Sequence, residues 1–174
     1  MPTANSVKEL QSATTGAFSV EGDGVKVLDW QKVRQQAADT LAWTAAFSAS
    51  AEAKAYAAWL IRKLAHAAGN GPASIHEVYL ARGRGELPTS FTVPAINIRA
   101  FAYYFARAIF RAAKRLDAGA VICELSRSEM GYTNQTPAEY VSSVLAAALR
   151  EGYPWPVYIQ GDHFQANAKN YAKD

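Results

Sequence analysis

Ala120-Val121-Ile122-Cys123-Glu124-Leu125-Ser126, then Thr136-Pro137-Ala138-Glu139, then Pro156-Val157-Tyr158-Ile159-Gln160-Gly161-Asp162-His163 is the stretch that decides the fold. The first part is an apolar run of strand length. Thr136, Pro137 and Glu139 supply a helix cap, a proline at the first helical position and a glutamate at the third. Val141, Val144, Leu145, Ala148 and Leu149 recur at helical spacing until Gly152 ends the helix. Pro156–Gln160 then reads as the next strand. Toward the N-terminus, residues 100–116 place Ala102, Phe105, Ile109, Ala112 and Leu116 on one helical face. Arg107, Arg111, Lys114 and Arg115 fall mostly away from it, as a solvated face. Phe91–Ile98 is a short β-like run. Strand, helix, strand, helix, strand predicts a parallel sheet built from right-handed βαβ units. A doubly wound sheet and a (β/α)8 barrel both fit that pattern; a barrel takes about 250 residues, against 174 here.

Further toward the N-terminus, residues 1–24 are small and polar and read as a loose, flexible tail. Asp29 can cap a helix bearing Trp30, Val33, Ala37, Leu41 and Thr44 at helical spacing. A second helix follows Ser48 and Ser50, with Tyr56, Trp59, Leu60 and Leu64 on one side. Gly69-Asn70-Gly71-Pro72 stops it. Residues 25–72 are therefore expected to form a helical hairpin, and residues 73–174 the strands and helices of the sheet. Ser74 and Glu77 have capping-box spacing for a short helix that ends by Gly83 or Gly85.

The net charge of +3 is mild, and no basic stripe is interleaved with aromatics, so a nucleic-acid partner is not expected. No stretch approaches the roughly 20 apolar residues of a membrane span. The lone Cys123 excludes an internal disulfide, fits a reducing, cytoplasmic setting and reads as a small buried hydrophobe.

In parallel-sheet folds, functional groups gather at the carboxyl ends of the strands. Here those ends carry Asn97, Ser126 and the pair Asp162-His163. Period-two alternation sets Val93, Ala95 and Asn97 on one strand face, and Ile122, Glu124 and Ser126 on another. A glutamate within an apolar strand needs a partner, since an unpaired buried charge is costly. Each residue also has a plainer role. Asn97, Ser126 and Asp162 could cap the following helices, and Glu124 could pair with an arginine. His66 and His76 lie in predicted helices and read as solvent-facing.

Val93-Pro94-Ala95-Ile96-Asn97, the helix Ala106-Arg107-Ala108-Ile109-Phe110-Arg111-Ala112-Ala113, Val121–Ser126 and Val157–His163 occur in an order and spacing similar to the first three strands of class II, zinc-dependent fructose- and tagatose-bisphosphate aldolases. The resemblance covers about residues 75–174. It implies the N-terminal part, about three β/α units, of a (β/α)8 TIM barrel, with the hairpin as an added extension. It also implies reversible, zinc-dependent cleavage of a phosphorylated ketose into triose phosphates. Asp162 would be the acid/base and His163 a zinc ligand, with Asn97 and Ser126 contacting substrate and Glu124 a polar group of the barrel interior. The remaining zinc ligands and the glycine-rich phosphate loops belong to later strands. The 174-residue piece alone is therefore expected to be inactive, poorly soluble and without a complete metal site. The short helix before the first strand fits a plug at the barrel bottom.

Gly131-Tyr132-Thr133, Thr136–Tyr140 and Asn167, together with Glu124 where catalytic members tend to carry an amide, are similar instead to the non-catalytic stabilising subunit of tagatose-bisphosphate aldolase. The expected partners are accordingly a second copy of the chain or an aldolase partner subunit. A nucleotide-binding domain is disfavoured, because no Gly-x-Gly-x-x-Gly or Walker-type loop follows a strand.

Overall fold

In the computed structural model, which describes residues 3–165, 168, 169 and 171, the N-terminal stretch is built into the protein. Over the described residues 3–24 this corrects the expectation of a loose tail spanning residues 1–24. The Ser6 hydroxyl accepts from the Glu9 amide and starts α1 (Val7–Ala13), whose Leu10 is fully buried. β1 (Phe18–Glu21) and β2 (Gly24–Val27) pair antiparallel across the turn at Gly22 and Asp23. Gly22 has φ 61° there, a conformation in which a side chain is strained. The Ala4 amide donates to Thr44 Oγ1 at 3.1 Å, tying the segment to the first long helix. The signal was present as Ser6-x-x-Glu9 ahead of Leu10, and as alternating Phe18, Val20 and Val25, Val27 around a glycine turn.

The helical hairpin forms as its caps require. Asp29 Oδ1 accepts from the amides of Gln31 and Lys32 and opens α2 (Trp30–Lys32). A π-helical stretch, Val33–Ala37, leads into α3 (Ala38–Phe47). The Ser50 hydroxyl accepts from Ala53 N and opens α4 (Ala51–Ala67). Leu41, Leu60, Ile61 and Leu64 are fully buried.

Beyond it come β3 (Pro72–Ala73), α5 (His76–Gly83), β4 (Ala95–Asn97), α6 (Ala102–Arg115), β5 (Ile122–Ser126), α7 (Arg127–Thr133), α8 (Pro137–Glu151) and β6 (Val157–Asp162). The strands form one parallel four-stranded sheet in the order β3-β6-β5-β4. The protein is thus mixed α/β, with α6 crossing from β4 to β5 and α8 from β5 to β6. β3 adds a short strand, Pro72–Ala73, on the outer edge of β6, where sequence alone shows only a helix stop.

Several local expectations give way to packing. The Ser74–Glu77 capping box does not form; Ser74 Oγ accepts from His76 N, and α5 has no buried residue. The loop expected after Ser126 is the helix α7. α6 is turned by about one residue from the expected face, burying Ala102, Tyr103, Ala106, Phe110 and Ala113. Phe105 and Leu116 stay 56% and 78% exposed. The helix carries apolar residues on adjacent rows, and its alanines let it lie close to α8, so contact decided the face. Arg107, expected in solvent, is 17% exposed and bonds to Glu151 through Nε at 2.6 Å.

α8 is central. Ser142 through Leu149 are all buried, because α8 packs on the sheet, on α6 and on both α3 and α4. Tyr103 Oη donates to Asp39 Oδ1, and Arg150 Nε donates to Asp39 Oδ2 at 3.2 Å, which pins α3 to α6 and α8. The hairpin and the βα units share one hydrophobic core, so the hairpin is an integral layer and not an appendage.

Cys123 lies in that core, fully buried, and burial pushes its thiol up to about 12. The thiolate is the reactive form. A thiol-specific reagent is therefore expected to leave Cys123 untouched in the native protein and to label it stoichiometrically in urea. Prompt native labelling would show that β5 opens locally.

Candidate functional site

The two faces of the sheet differ in chemistry. Val121, Cys123, Leu125 and Val157 point into the core beneath α8. Because parallel register partners share a face, the opposite side holds Ala95 and Asn97 of β4, Ile122, Glu124 and Ser126 of β5, and Tyr158, Gln160 and Asp162 of β6. Tyr140 Oη donates to the Glu124 carbonyl at 2.8 Å and clamps β5 onto α8, which fixes which side each β5 residue takes.

Four of the expected site residues, Asn97, Glu124, Ser126 and Asp162, come together on this face, and His163 follows at its edge. Asn97 Nδ2 donates to Asp162 Oδ2 at 3.2 Å, across β5. Gln160 Nε2 donates to Glu124 Oε1 at 2.9 Å. His163 Nε2 stands 3.6 Å from Asp162 Oδ1 on a side chain that is 75% exposed. His163 takes a left-handed backbone, φ 54°, which costs a non-glycine residue about 1–2 kcal/mol. Just before it, Gly161 admits the Phe164 ring; a Cβ at Gly161 would lie 2.8 Å from Phe164 Cδ2. The turn after β6 is thus shaped by Gly161 and Phe164 together.

Ser126 takes its plainer role. Its hydroxyl accepts from Glu129 N at 3.2 Å, while Glu129 Oε2 accepts from Ser126 N at 2.9 Å, a reciprocal cap on α7. Glu129 is 3% exposed and also accepts from Arg99 Nε at 2.6 Å. Burial opposes its charge, but the Ser126 amide, the Arg99 guanidinium and the Asn97 side chain hold its carboxyl below the usual glutamate range. Sequence reasoning missed Glu129, Arg99 and Gln160. For Glu129 the signal was legible as Ser126-x-x-Glu129, the same spacing as Ser74-x-x-Glu77; for Gln160 it was the alternation with Asp162. Arg99 had none.

Glu124 is the unusual group. Desolvation, then the Asp162 and Glu129 carboxylates, raise its acidity range above that of a free glutamate, with His163 opposing. The hydrogen-bond partner its carboxyl takes is the Gln160 amide. A carboxyl raised in the folded state contributes stability that is fully present below the ordinary glutamate range and is lost as pH rises through its raised value. Glu124→Gln is therefore expected to raise the urea midpoint at pH 8 relative to the parent while leaving it nearly unchanged at pH 4. Equal shifts at both pH values would show that Glu124 titrates as a free carboxyl.

A catalytic zinc generally takes about three protein ligands. Among the described residues no group of three His, Cys, Asp or Glu side chains could hold a metal ion, and His66 and His76 are exposed on α4 and α5. The residues present do not fit a resident zinc. Asn167 lies outside the described residues. No described helix is long and apolar enough to cross a membrane. No family model, curated protein or solved structure matches the chain.

Proposed function

We propose that this chain supplies the first three strands of an aldolase-type (β/α)8 barrel, in which a following strand would take the outer edge of β6 that Pro72–Ala73 occupies here. In this reading β4, β5 and β6 are consecutive barrel strands, their polar face is the barrel interior, and the substrate is a phosphorylated ketose. The observation that carries it is the 3.2 Å bond from Asn97 to Asp162 across an intervening strand. It sets a carboxylate at the carboxyl end of a parallel sheet, in reach of a ligand and held by a neutral donor. Such a carboxylate is suited to take a proton from a sugar hydroxyl as the adjacent carbon–carbon bond breaks, and to return it in the reverse direction. Gln160 and Asn97 offer amides to the ligand's hydroxyls. Any zinc in the intact site would have to draw ligands besides His163 from outside the described residues.

The test is cleavage of fructose and tagatose 1,6-bisphosphate, followed by coupled detection of triose phosphate. The intact protein should turn over one of them, and residues 1–174 alone should not. A second reading, the non-catalytic stabilising subunit of a tagatose-bisphosphate aldolase, is favoured by Ser126 being committed to a helix cap and by a glutamate at position 124. It is tested by co-purification with a catalytic aldolase chain, with no turnover by this protein alone.

A further inference from the structure

The helical layer holds a cavity of about 780 Å³ between the C-terminal half of α3 and the first turns of α6 and α8. Small-ligand sites are clefts of about 300–1,000 Å³ with apolar walls and a few placed polar groups. Here small side chains make the hollow: Ala42 and Ala102 are buried in its lining, and Ala46 and Ala108 widen it. Phe47, Phe101 and Phe105 line it while staying exposed. The α8 side contributes three polar residues four apart, Gln135, Glu139 and Ser143. Among the described residues Glu139 is the charged side chain of the lining, and its carboxylate accepts from Gln135 Nε2 at 2.9 Å. Ser143 is 6% exposed, and among the described residues its hydroxyl has no hydrogen-bond partner. We propose that this cavity binds a small hydrophobic amine, its apolar body among the aromatic rings and its ammonium on Glu139, Gln135 and Ser143.

Donors and acceptors decide the polar end of the ligand. A carboxylate only accepts, and Gln135, with its nitrogen given to Glu139, keeps a carbonyl oxygen as acceptor. The Ser143 hydroxyl oxygen is a third acceptor. A primary ammonium brings three donors and no acceptor, which matches this set. A ligand carboxylate would instead set like charges together where an apolar body displaces the water that screens them. A neutral alcohol brings one donor, and a quaternary ammonium none. Arg107 settles where the charge goes. Its guanidinium lies 5.5 Å from the Tyr103 ring centroid and 5.9 Å from that of Tyr104. Those two rings already face a cation, so a second cation is repelled from them toward α8. The apolar body is left to Trp43, whose ring centroid lies 4.9 Å from that of Phe47, and to Phe101 and Phe105. Phe101 lines the cavity from a left-handed backbone, φ 51°, which a bulky side chain disfavours. Strain of this kind collects at ligand clamps. No residue of the polar sheet face lines the cavity, so the proposal stands apart from the aldolase reading.

Phenylbutylamine, phenylbutanol, phenylbutyrate and phenylbutyltrimethylammonium share one apolar body and differ at the polar end. Titrated into the 15N-labelled full chain, the amine should saturate and shift the Ala46 and Ala108 amides and the Trp43 indole N–H. Calorimetry should show the other three binding at least about tenfold more weakly, because a charge-assisted hydrogen bond is roughly twice as strong as a neutral one. Glu139→Gln removes the charge and leaves the helix cap, which uses the Glu139 backbone amide. It should weaken the amine about tenfold while leaving the alcohol nearly unchanged. Ser143→Ala should weaken the amine to a smaller extent, and Ala46→Phe, which fills the hollow, should abolish binding of all four. The probe series on the parent protein tests the proposal even where a variant fails to fold. An alcohol, carboxylate or quaternary ammonium that binds as tightly as the amine overturns it, as does amine binding that ignores Glu139→Gln. Absence of saturable amine binding overturns it too. If the same signals move with protein concentration and not with amine, the face is a contact between copies of the chain, and the amine site is again overturned.

Discussion

Residues 71–174 expressed without the first 70 are expected to aggregate or remain unfolded. Without α3 and α4, the outer side of α8 loses Leu41, Leu60, Ile61 and Leu64, all fully buried. Each such side chain contributes about 1.5–3 kcal/mol by leaving water, so their combined loss rivals the roughly 5–15 kcal/mol by which a whole domain is stable. Asp39, which accepts from Tyr103 and Arg150, is lost as well, and Tyr103 Oη is left without that acceptor in a largely buried position. Circular dichroism, the urea transition and amide dispersion are the measurements. A cooperative transition and a dispersed spectrum from residues 71–174 would show that the hairpin is a separable extension. A milder version is Leu60→Ala, expected to cost about 2–5 kcal/mol.

Asp162→Ala should have the largest effect on chemistry. If Asp162 moves the hydroxyl proton, its removal should lower kcat by about 10²–10⁴-fold without disturbing the fold. The side chain sits at a strand end, partly exposed, and its protein partners there are Asn97 and His163. Unchanged thermal unfolding with lost turnover is the expected pair of results. Turnover within a fewfold of the parent would remove Asp162 from the proton path. Asp162→Asn separates charge from shape: it keeps the side-chain volume but has no basic oxygen to accept the proton, so it should be nearly as inactive as the alanine variant.

Much of the site was legible because strand alternation is a strict rule. Once Val121, Cys123 and Leu125 are assigned to the core, Glu124 and Ser126 must face the other way, and the parallel register brings Asn97 and Asp162 alongside them. Ser126 shows where that rule stops. Alternation places its Cβ, but it does not decide whether the hydroxyl meets a ligand or the Glu129 amide. That depends on the conformation of residues 127–129, and here a reciprocal cap takes it. Arg99 was invisible because its partner lies thirty residues away on a different element.

By itself the sequence determined the elements whose information is local. The caps at Asp29, Ser50 and Thr136 start their helices by offering side-chain acceptors to amides two or three residues on, and strand, helix, strand alternation makes the sheet parallel. Tertiary structure decided what local signals leave degenerate. α6 has apolar residues on neighbouring rows, and only contact with α8 selected Phe110 for burial over Phe105. The N-terminal residues carry too little apolar surface to fold alone, yet Leu10 becomes fully buried once the hairpin gives it somewhere to pack. The same burial made α8 a helix covered along its length and joined the hairpin to the sheet in one core, since an apolar face stays out of water only where another element covers it.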